Sequence, residues 1–212
     1  MDHQHRPEPR PEGDVVKSRV LRDKGGFLSP VVSVVDHEGR AAVLKDYRGK
    51  NAVTRSLLAP ALVKREFAVL RHLEGVPGIP RVYAIVEKRA LLLEYIDGKT
   101  INKFKAGQLP DRVFERLCET VRAMHARGVV HLDLRQRKNI LIAGEQPWLI
   151  DFANAMKGKL TAKLRAVDES ALLKFKQRNW PHLVTDADRQ AIKSHKFLRQ
   201  FWIFSPRGRS VR

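Results

Sequence analysis

Asp133, Asn139 and Asp151 are two carboxylates and a carboxamide that fall close together in the stretch 129–153, VVHLDLRQRKNILIAGEQPWLIDFA. Three short apolar runs divide it: Val129-Val130, Ile140-Leu141-Ile142 and Trp148-Leu149-Ile150. Read as small strands, these runs place the three polar residues on the loops around them. A hard cation such as magnesium takes a few oxygen ligands of this kind and fills its other positions with water and phosphate oxygens. A carboxylate held off the metal could then orient or deprotonate a hydroxyl. Each residue alone is an ordinary turn former, so the weight lies in the order and spacing of the set.

Such loops need a scaffold, and the chain supplies one in order. The spacing predicts a helix over Asp111–Arg127, with Val113, Leu117, Val121 and Met124 on one face, Asp111 as its cap and Gly128 as its stop. Cys118 falls among its apolar positions and reads as a buried thiol. Upstream, strand-like runs cover Val15–Leu21, Val31–Val35 and Ala41–Tyr47, with a hairpin turn at Asp36-His37-Glu38-Gly39. Gly25 and Gly26 would let backbone amides approach a phosphate. Pro60–Leu73 has helical apolar spacing with Glu66 inside it and Arg65 as a solvated neighbour. A loop at Gly75–Pro80 and strands at Val82–Val86 and Ala90–Tyr95 follow, and the run 93–98 leads into a glycine-terminated bend. Downstream lie a short basic stretch, Lys157–Arg165, a helix over Val167–Phe175 and a last helix from Asp186.

His131-Leu132-Asp133-Leu134, then Asn139, then Asp151-Phe152-Ala153, resembles the catalytic and metal-binding loops of the protein-kinase-like superfamily. The resemblance implies that Asp133 accepts or orients the substrate hydroxyl proton while Asn139 and Asp151 hold magnesium. It implies that Lys45, at the end of Val43-Leu44-Lys45, engages the alpha and beta phosphates of ATP and pairs with Glu66. It further implies that Gly25 and Gly26 stand where a phosphate-covering loop belongs, and that backbone groups of Glu94, Tyr95 and Ile96 meet the adenine edge. Asp168 is similar to the aspartate that braces the catalytic loop, and His131 reads as a loop-bracing residue. Two departures stand out. The asparagine follows the aspartate by six residues rather than five, and Ala153 replaces the usual glycine. Arg135, Gln136, Arg137 and Lys138 fill the lengthened loop, positioned to recognise an anionic acceptor.

Composition sets outer bounds. The 212 residues carry 41 Lys and Arg against 23 Asp and Glu, a formal charge of +18. Such a field favours polyanions: nucleotide phosphates, an anionic bilayer surface or, with less support, nucleic acid, for which no zinc spacing or aromatic motif is present. One cysteine permits no intramolecular disulfide and suits a reducing compartment. No apolar run approaches the roughly 18 residues of a membrane span, and the first residues lack the core of a secretory signal. A cytoplasmic protein is expected, with peripheral attachment to the inner membrane face as an option suggested by the aromatic and basic segment after Asp188.

The expected fold is α+β and two-lobed: an N-lobe antiparallel sheet with one helix and a reduced, mainly helical C-lobe. The expected divisions are a disordered tail over 1–13, an N-lobe over 14–96 and a C-lobe over 97–212. The expected activity is ATP- and magnesium-dependent phosphoryl transfer to a hydroxyl. Within the superfamily the chain resembles the kinases of lipopolysaccharide-core Kdo and heptose sugars and the RIO-type kinases. The acceptor is accordingly expected on an anionic sugar lipid or a protein Ser/Thr. The alternative is a pseudokinase that binds nucleotide or polyanion without turnover.

Overall fold

The computed structural model describes residues 17–23, 29–51, 56 and 58–198, with side chains through Ile192. The 1–13 tail, Gly25 and Gly26, and the basic aromatic segment from Lys193 onward, as far as its side chains are concerned, lie outside what is described. Two compact units result. One takes in the described residues through Val63 with Tyr83–Tyr95; the other takes in Lys64–Val82 and the described residues from Ile96 onward.

In the first unit β1 (Lys17–Arg22), β2 (Val31–His37), β3 (Arg40–Asp46), β4 (Val82–Val86) and β5 (Ala90–Glu94) form one sheet, ordered β1-β2-β3-β5-β4. Tight turns join its hairpins. Glu38 and Gly39 both have positive φ (54° and 77°), as do Glu87 and Lys88 (46° and 60°), the geometry whose twist matches the flanking strands. Asp36 Oδ1 accepts the Gly39 N–H at 3.1 Å and closes the first turn. Side chains alternate across the sheet. Ala42 and Leu44 pack with Val35, Ala90 and Leu92 into a buried core. Lys45 is on the other face, cross-strand from Val32 and Leu91.

The helix α1 (Ala59–His72) begins in the first unit and continues in the second. The second unit then holds β6 (Lys99–Thr100), α2 (Asp111–Ala126), β7 (Val129–Val130), β8 (Ile140–Ala143), β9 (Gln146–Leu149), β10 (Met156–Lys157), α3 (Thr161–Asn179) and α4 (Asp186–Leu198). Strands β6, β8 and β9 form one small sheet, and β10 pairs with β7.

The expected stripe of α2 is buried: Val113, Leu117, Val121 and Met124 are at most 1% exposed. Its cap differs from expectation. Pro110 occupies the N-cap position, so Asp111 is already the first helical residue, and its carboxylate is 2.7 Å from His182 Nε2 instead. Cys118 is half-buried, and burial pushes its thiol pKa up, which leaves it protonated near neutrality and a poor nucleophile.

The loop after α1 docks on the β8–β9 hairpin. Gly78 O accepts the Leu149 N–H at 2.8 Å, and Thr120 Oγ1 donates to Pro77 O at 3.0 Å. Gly78 has φ +80°, and a Cβ there would lie 2.6 Å from Pro147 O, so only glycine fits without backbone movement.

The basic stretch 157–165 is not a separate segment, because α3 starts at Thr161 and absorbs its second half. Thr161 Oγ1 donates to Gly158 O at 2.7 Å, and the following Ala-Lys-Leu-Arg-Ala residues are good helix formers. At the far end of α3, Trp180 is fully buried and its Nε1–H reaches Leu109 O at 3.0 Å and Pro110 O at 3.1 Å.

Asp188 ties α4 to α3. Its Oδ2 accepts from Lys176 Nζ at 2.7 Å, Thr185 N at 2.8 Å and Thr185 Oγ1 at 2.9 Å. The Lys176 hydrogen bond, then that from the Thr185 backbone, hold its carboxyl below the usual carboxylate value. A depressed folded-state pKa gives stability that is present above the unfolded pKa and lost as pH falls through the folded one. Asp188→Ala is therefore expected to lose about 1–3 kcal/mol at neutral pH, the worth of hydrogen bonds to a charged group, seen as a lower Tm. In melts at decreasing pH the gap to the wild type should begin to narrow at about pH 4, the unfolded carboxylate value, and go on closing as the pH falls further.

Candidate active site

Asp168 organises the site. It is on α3, fully buried, with Oδ2 accepting from the His131 N–H at 2.8 Å and Oδ1 from the Leu132 N–H at 2.9 Å. His125, on the last turn of α2, donates from Nε2 to Oδ2 at 3.0 Å. One carboxylate thus ties together α2, α3 and the start of the loop after β7. Arg165 adds a second tie, its Nη2 donating to His125 O at 2.8 Å.

His131 is fully buried and braces the loop, as its sequence position suggested. Its Nε2 donates to Ile150 O at 3.1 Å, its Nδ1 accepts the Asp133 N–H at 3.4 Å, and its ring packs on Phe152 with centroids 4.6 Å apart. These contacts join the loop holding Asp133 to the strand end that precedes Asp151. Leu132, between them, is held at φ +65°, a costly conformation for a branched side chain that the surrounding hydrogen bonds enforce.

The lengthened loop still delivers its asparagine. Gln136 N donates to Asp133 O at 3.2 Å and Asn139 N to Gln136 O at 2.8 Å, so two consecutive tight turns, the second a 3-10 turn at Arg137–Asn139, absorb the extra residue. Asn139 Nδ2 then donates to Asp133 O at 3.0 Å and Asp133 Oδ2 at 3.1 Å. Gln136 Nε2 reaches the same Oδ2 at 2.6 Å. The Asn139 amide oxygen is left for another partner, and Asp133 presents Oδ1.

Asn139 and Asp151 come together through the β8–β9 hairpin. Ile140 pairs with Leu149, and Ile150 N donates to Asn139 O at 2.9 Å, which brings both residues to the same end. Asp151 has φ 67° and ψ 67°, the left-handed region that Asp tolerates better than most side chains. Ala153 follows in a short 3-10 turn, Phe152–Asn154, and has no positive φ. Backbone freedom is needed at Asp151, not at 153, so alanine costs nothing there. Among the described residues no group of three or more His, Cys, Asp and Glu forms a closed metal cage. One carboxylate beside one carboxamide nevertheless fits magnesium, which keeps several waters and shares its remaining positions with phosphates.

Arg65 is exposed, as expected, but it is also bonded. From α1 its Nη2 donates to Ala155 O at 2.7 Å and Asn154 O at 3.3 Å, clasping the turn after Asp151. Glu66, next to it, is 3% exposed; Lys45, in the other unit, is 5% exposed. Glu94 ends β5, and Tyr95 and Ile96 follow without regular structure. Gly25 and Gly26 lie outside the described residues. Arg65 and His125 were not legible as contributors, since their partners, two loop carbonyls and the Asp168 carboxylate, are distant in sequence; Gln136 meets Asp133 only three residues away, inside a run read as a charged face.

A family model described as RIO domain matches residues 36–188. The chain is 31% identical over 155 residues to a probable bifunctional tRNA threonylcarbamoyladenosine biosynthesis protein of Methanosarcina mazei, covering 69% of this chain and 27% of that protein. It is 33% identical over 90 residues to CBL-interacting serine/threonine-protein kinase 12 of Arabidopsis thaliana, covering 39% and 18%. The chain thus spans a minor part of these relatives' length. Among solved structures, the Rio2 kinase from Chaetomium thermophilum is similar in fold, with TM-score 0.60, 20% identity and coverage of 84% of this chain and 63% of that one. The same kinase in an ADP/Mg2+-phosphoaspartate complex gives TM-score 0.58, 20% identity and coverage of 84% and 62%. The matched residues take in Lys45, Glu66, Asp133, Asn139, Asp151 and Asp168, and on that match the chain belongs to the RIO domain family of kinase-like proteins.

Proposed function

We propose that the chain is an ATP- and magnesium-dependent phosphotransferase acting on a hydroxyl. The observation that carries this reading is the Asp133–Asn139 pair, oriented side chain to side chain at 3.1 Å on a loop whose backbone is gripped by Asp168. With Gln136 and Asn139 both donating to Oδ2, Asp133 offers Oδ1 to the acceptor. The acceptor oxygen attacks the gamma phosphorus, the bond to the ADP oxygen breaks, and the hydroxyl proton passes to Asp133. Magnesium bound by Asn139 and Asp151 would neutralise charge on the phosphates. Lys45 is assigned to the alpha and beta phosphates, with Glu66 as its orienting carboxylate, and the backbone at Glu94–Ile96 to the adenine edge. Most of the rate enhancement on this reading comes from positioning and fixed charge.

The division into an N-lobe over 14–96 and a C-lobe over 97–212 belongs to the same reading. The acceptor hydroxyl is assigned to an anionic sugar lipid of the lipopolysaccharide-core type or to a protein Ser/Thr. The +18 charge supports the first, with a cytoplasmic protein peripheral to the membrane; the name of the Arabidopsis relative supports the second. Among the described residues no helix is long and apolar enough to cross a membrane. The pseudokinase alternative has three supports: the incomplete glycine pattern at residues 25–30, most of which lies outside the described residues, the long loop and Ala153; the last two are accommodated by the backbone.

Turnover assays with magnesium and ATP, offering lipopolysaccharide-core acceptors and then serine-rich basic proteins, test the reading. Asp133→Asn is expected to lower kcat by about 10²–10⁴-fold with little change in ATP affinity, and Asp151→Asn to raise the magnesium requirement. Wild-type turnover that is absent, or indifferent to both changes, would falsify it. Asp168→Asn turns an amide N–H against backbone donors, at a cost of about 1–3 kcal/mol. It should lower kcat more than it raises KM for ATP, a split that a general loss of stability would not produce.

A further inference from the structure

The run 135–138 does not act as one charged face. Gln136 turns to Asp133 and Lys138 is exposed to solvent. Arg135 and Arg137 instead line a pocket of about 380 Å³ whose opposite wall is α3, with Lys174 and Arg178 above Ala171 and Phe175. Among the described residues no carboxylate lines it.

Several features mark the pocket as built for an anion. Arg137 is half-buried, and its Nε is buried with no hydrogen-bond partner among the described residues, a cost that a bound acceptor group would relieve. Its remaining contact, Nη2 to Ile101 O, is long at 3.5 Å. Burial, and then the neighbouring charge of Arg178, push the Arg137 pKa down, as desolvation and a nearby like charge do. Phe175 is 3% exposed and Ala171 fully buried, so the floor is apolar and firm.

Size and place narrow the occupant. A volume of about 380 Å³ is at the small end of the roughly 300–1,000 Å³ range of small-molecule sites. That suits a phosphate with a sugar-sized group and is too small for a duplex. Arginine is the residue that recognises phosphate oxygens in fixed, bidentate geometry. Asp168, Ala171, Phe175 and Arg178 recur at helical spacing along one face of α3, so the pocket continues the face that grips the loop of Asp133. Gln136, which holds Asp133 Oδ2, sits in sequence between the two loop arginines.

We propose that Arg135, Arg137, Lys174 and Arg178 form a phosphomonoester subsite, and that the phosphate it recognises is one already carried by the acceptor. The second clause rests on the kinase reading; the first does not.

Isothermal titration of the full chain with inorganic phosphate and with glucose 6-phosphate, at about 0.15 M salt to screen diffuse attraction, tests both clauses. The wild type should bind each saturably near one equivalent, and the two should compete. Arg137→Ala and Arg178→Glu should each weaken binding tenfold or more, while Lys163→Ala, an exposed change on the same helix, should not. Arg178 is exposed, so its variant is a check on folding as well; a wild-type Tm with lost binding supports the subsite. No saturable binding, or binding indifferent to Arg137→Ala and Arg178→Glu, overturns it. Inorganic phosphate bound with glucose 6-phosphate excluded overturns the acceptor assignment. Intact binding in a chain without Mg-ATP turnover would keep the subsite and defeat the kinase reading.

Discussion

The second unit depends on a buried carboxylate. Removing Asp168 from water is unfavourable unless every lone pair in use is matched by a donor, and here three donors from two other elements converge on it. The exchange has a structural result. Two successive backbone N–H groups can point at one carboxylate only if the chain between them turns sharply, and Leu132 accordingly adopts a left-handed conformation. The strain is local and the compensation comes from α3. Asp133 is aimed by this arrangement rather than by its own side-chain contacts alone.

The legible parts of the fold were those specified locally. The stripe of α2, the turn at Glu38-Gly39 and the apolar runs of β8 all follow from periodicity or turn chemistry within a few residues. The boundaries that shifted were set by tertiary partners: α3 extends back to Thr161 because Gly158 O accepts its hydroxyl, and Asp111 serves His182 rather than its own helix. The site shows the same division. Asp133, Asn139 and Asp151 stand out in the sequence as an ordered set, and the β8–β9 hairpin brings the last two to one end. Arg65 was not legible, because a guanidinium seeking carbonyls 89 and 90 residues away leaves no mark on its neighbours. Both apparent defects of the loops dissolve for a backbone reason: an added residue fits a second tight turn, and the positive φ falls on Asp151 rather than on Ala153.

The strong positive charge acquires structure where side chains converge. Most lysines and arginines of a +18 chain are solvated and contribute only a diffuse attraction, screened within about 10 Å at ordinary salt. Arg137 and Arg178 differ because they line one pocket together with Ala171 and Phe175, close enough for their charges to interact. Other charges are spent internally, as Arg48 is on Asp46 and Glu87 beside β3, and Lys176 is on Asp188.

The docking of Gly78 on β9 has a consequence for synthesis. Residues 64–82 leave the ribosome in the middle of the first unit, yet their partners belong to the second. Leu149, which donates to Gly78 O, is translated about 70 residues later, a delay on the order of 4–14 s at roughly 5–20 residues per second. Val76, Ile79 and Pro80, all buried in the finished protein, must wait through that interval without the hairpin on which Gly78 docks. The nascent chain therefore carries an apolar loop in search of a partner, and the glycine that later permits close packing also keeps that loop from settling early into regular structure.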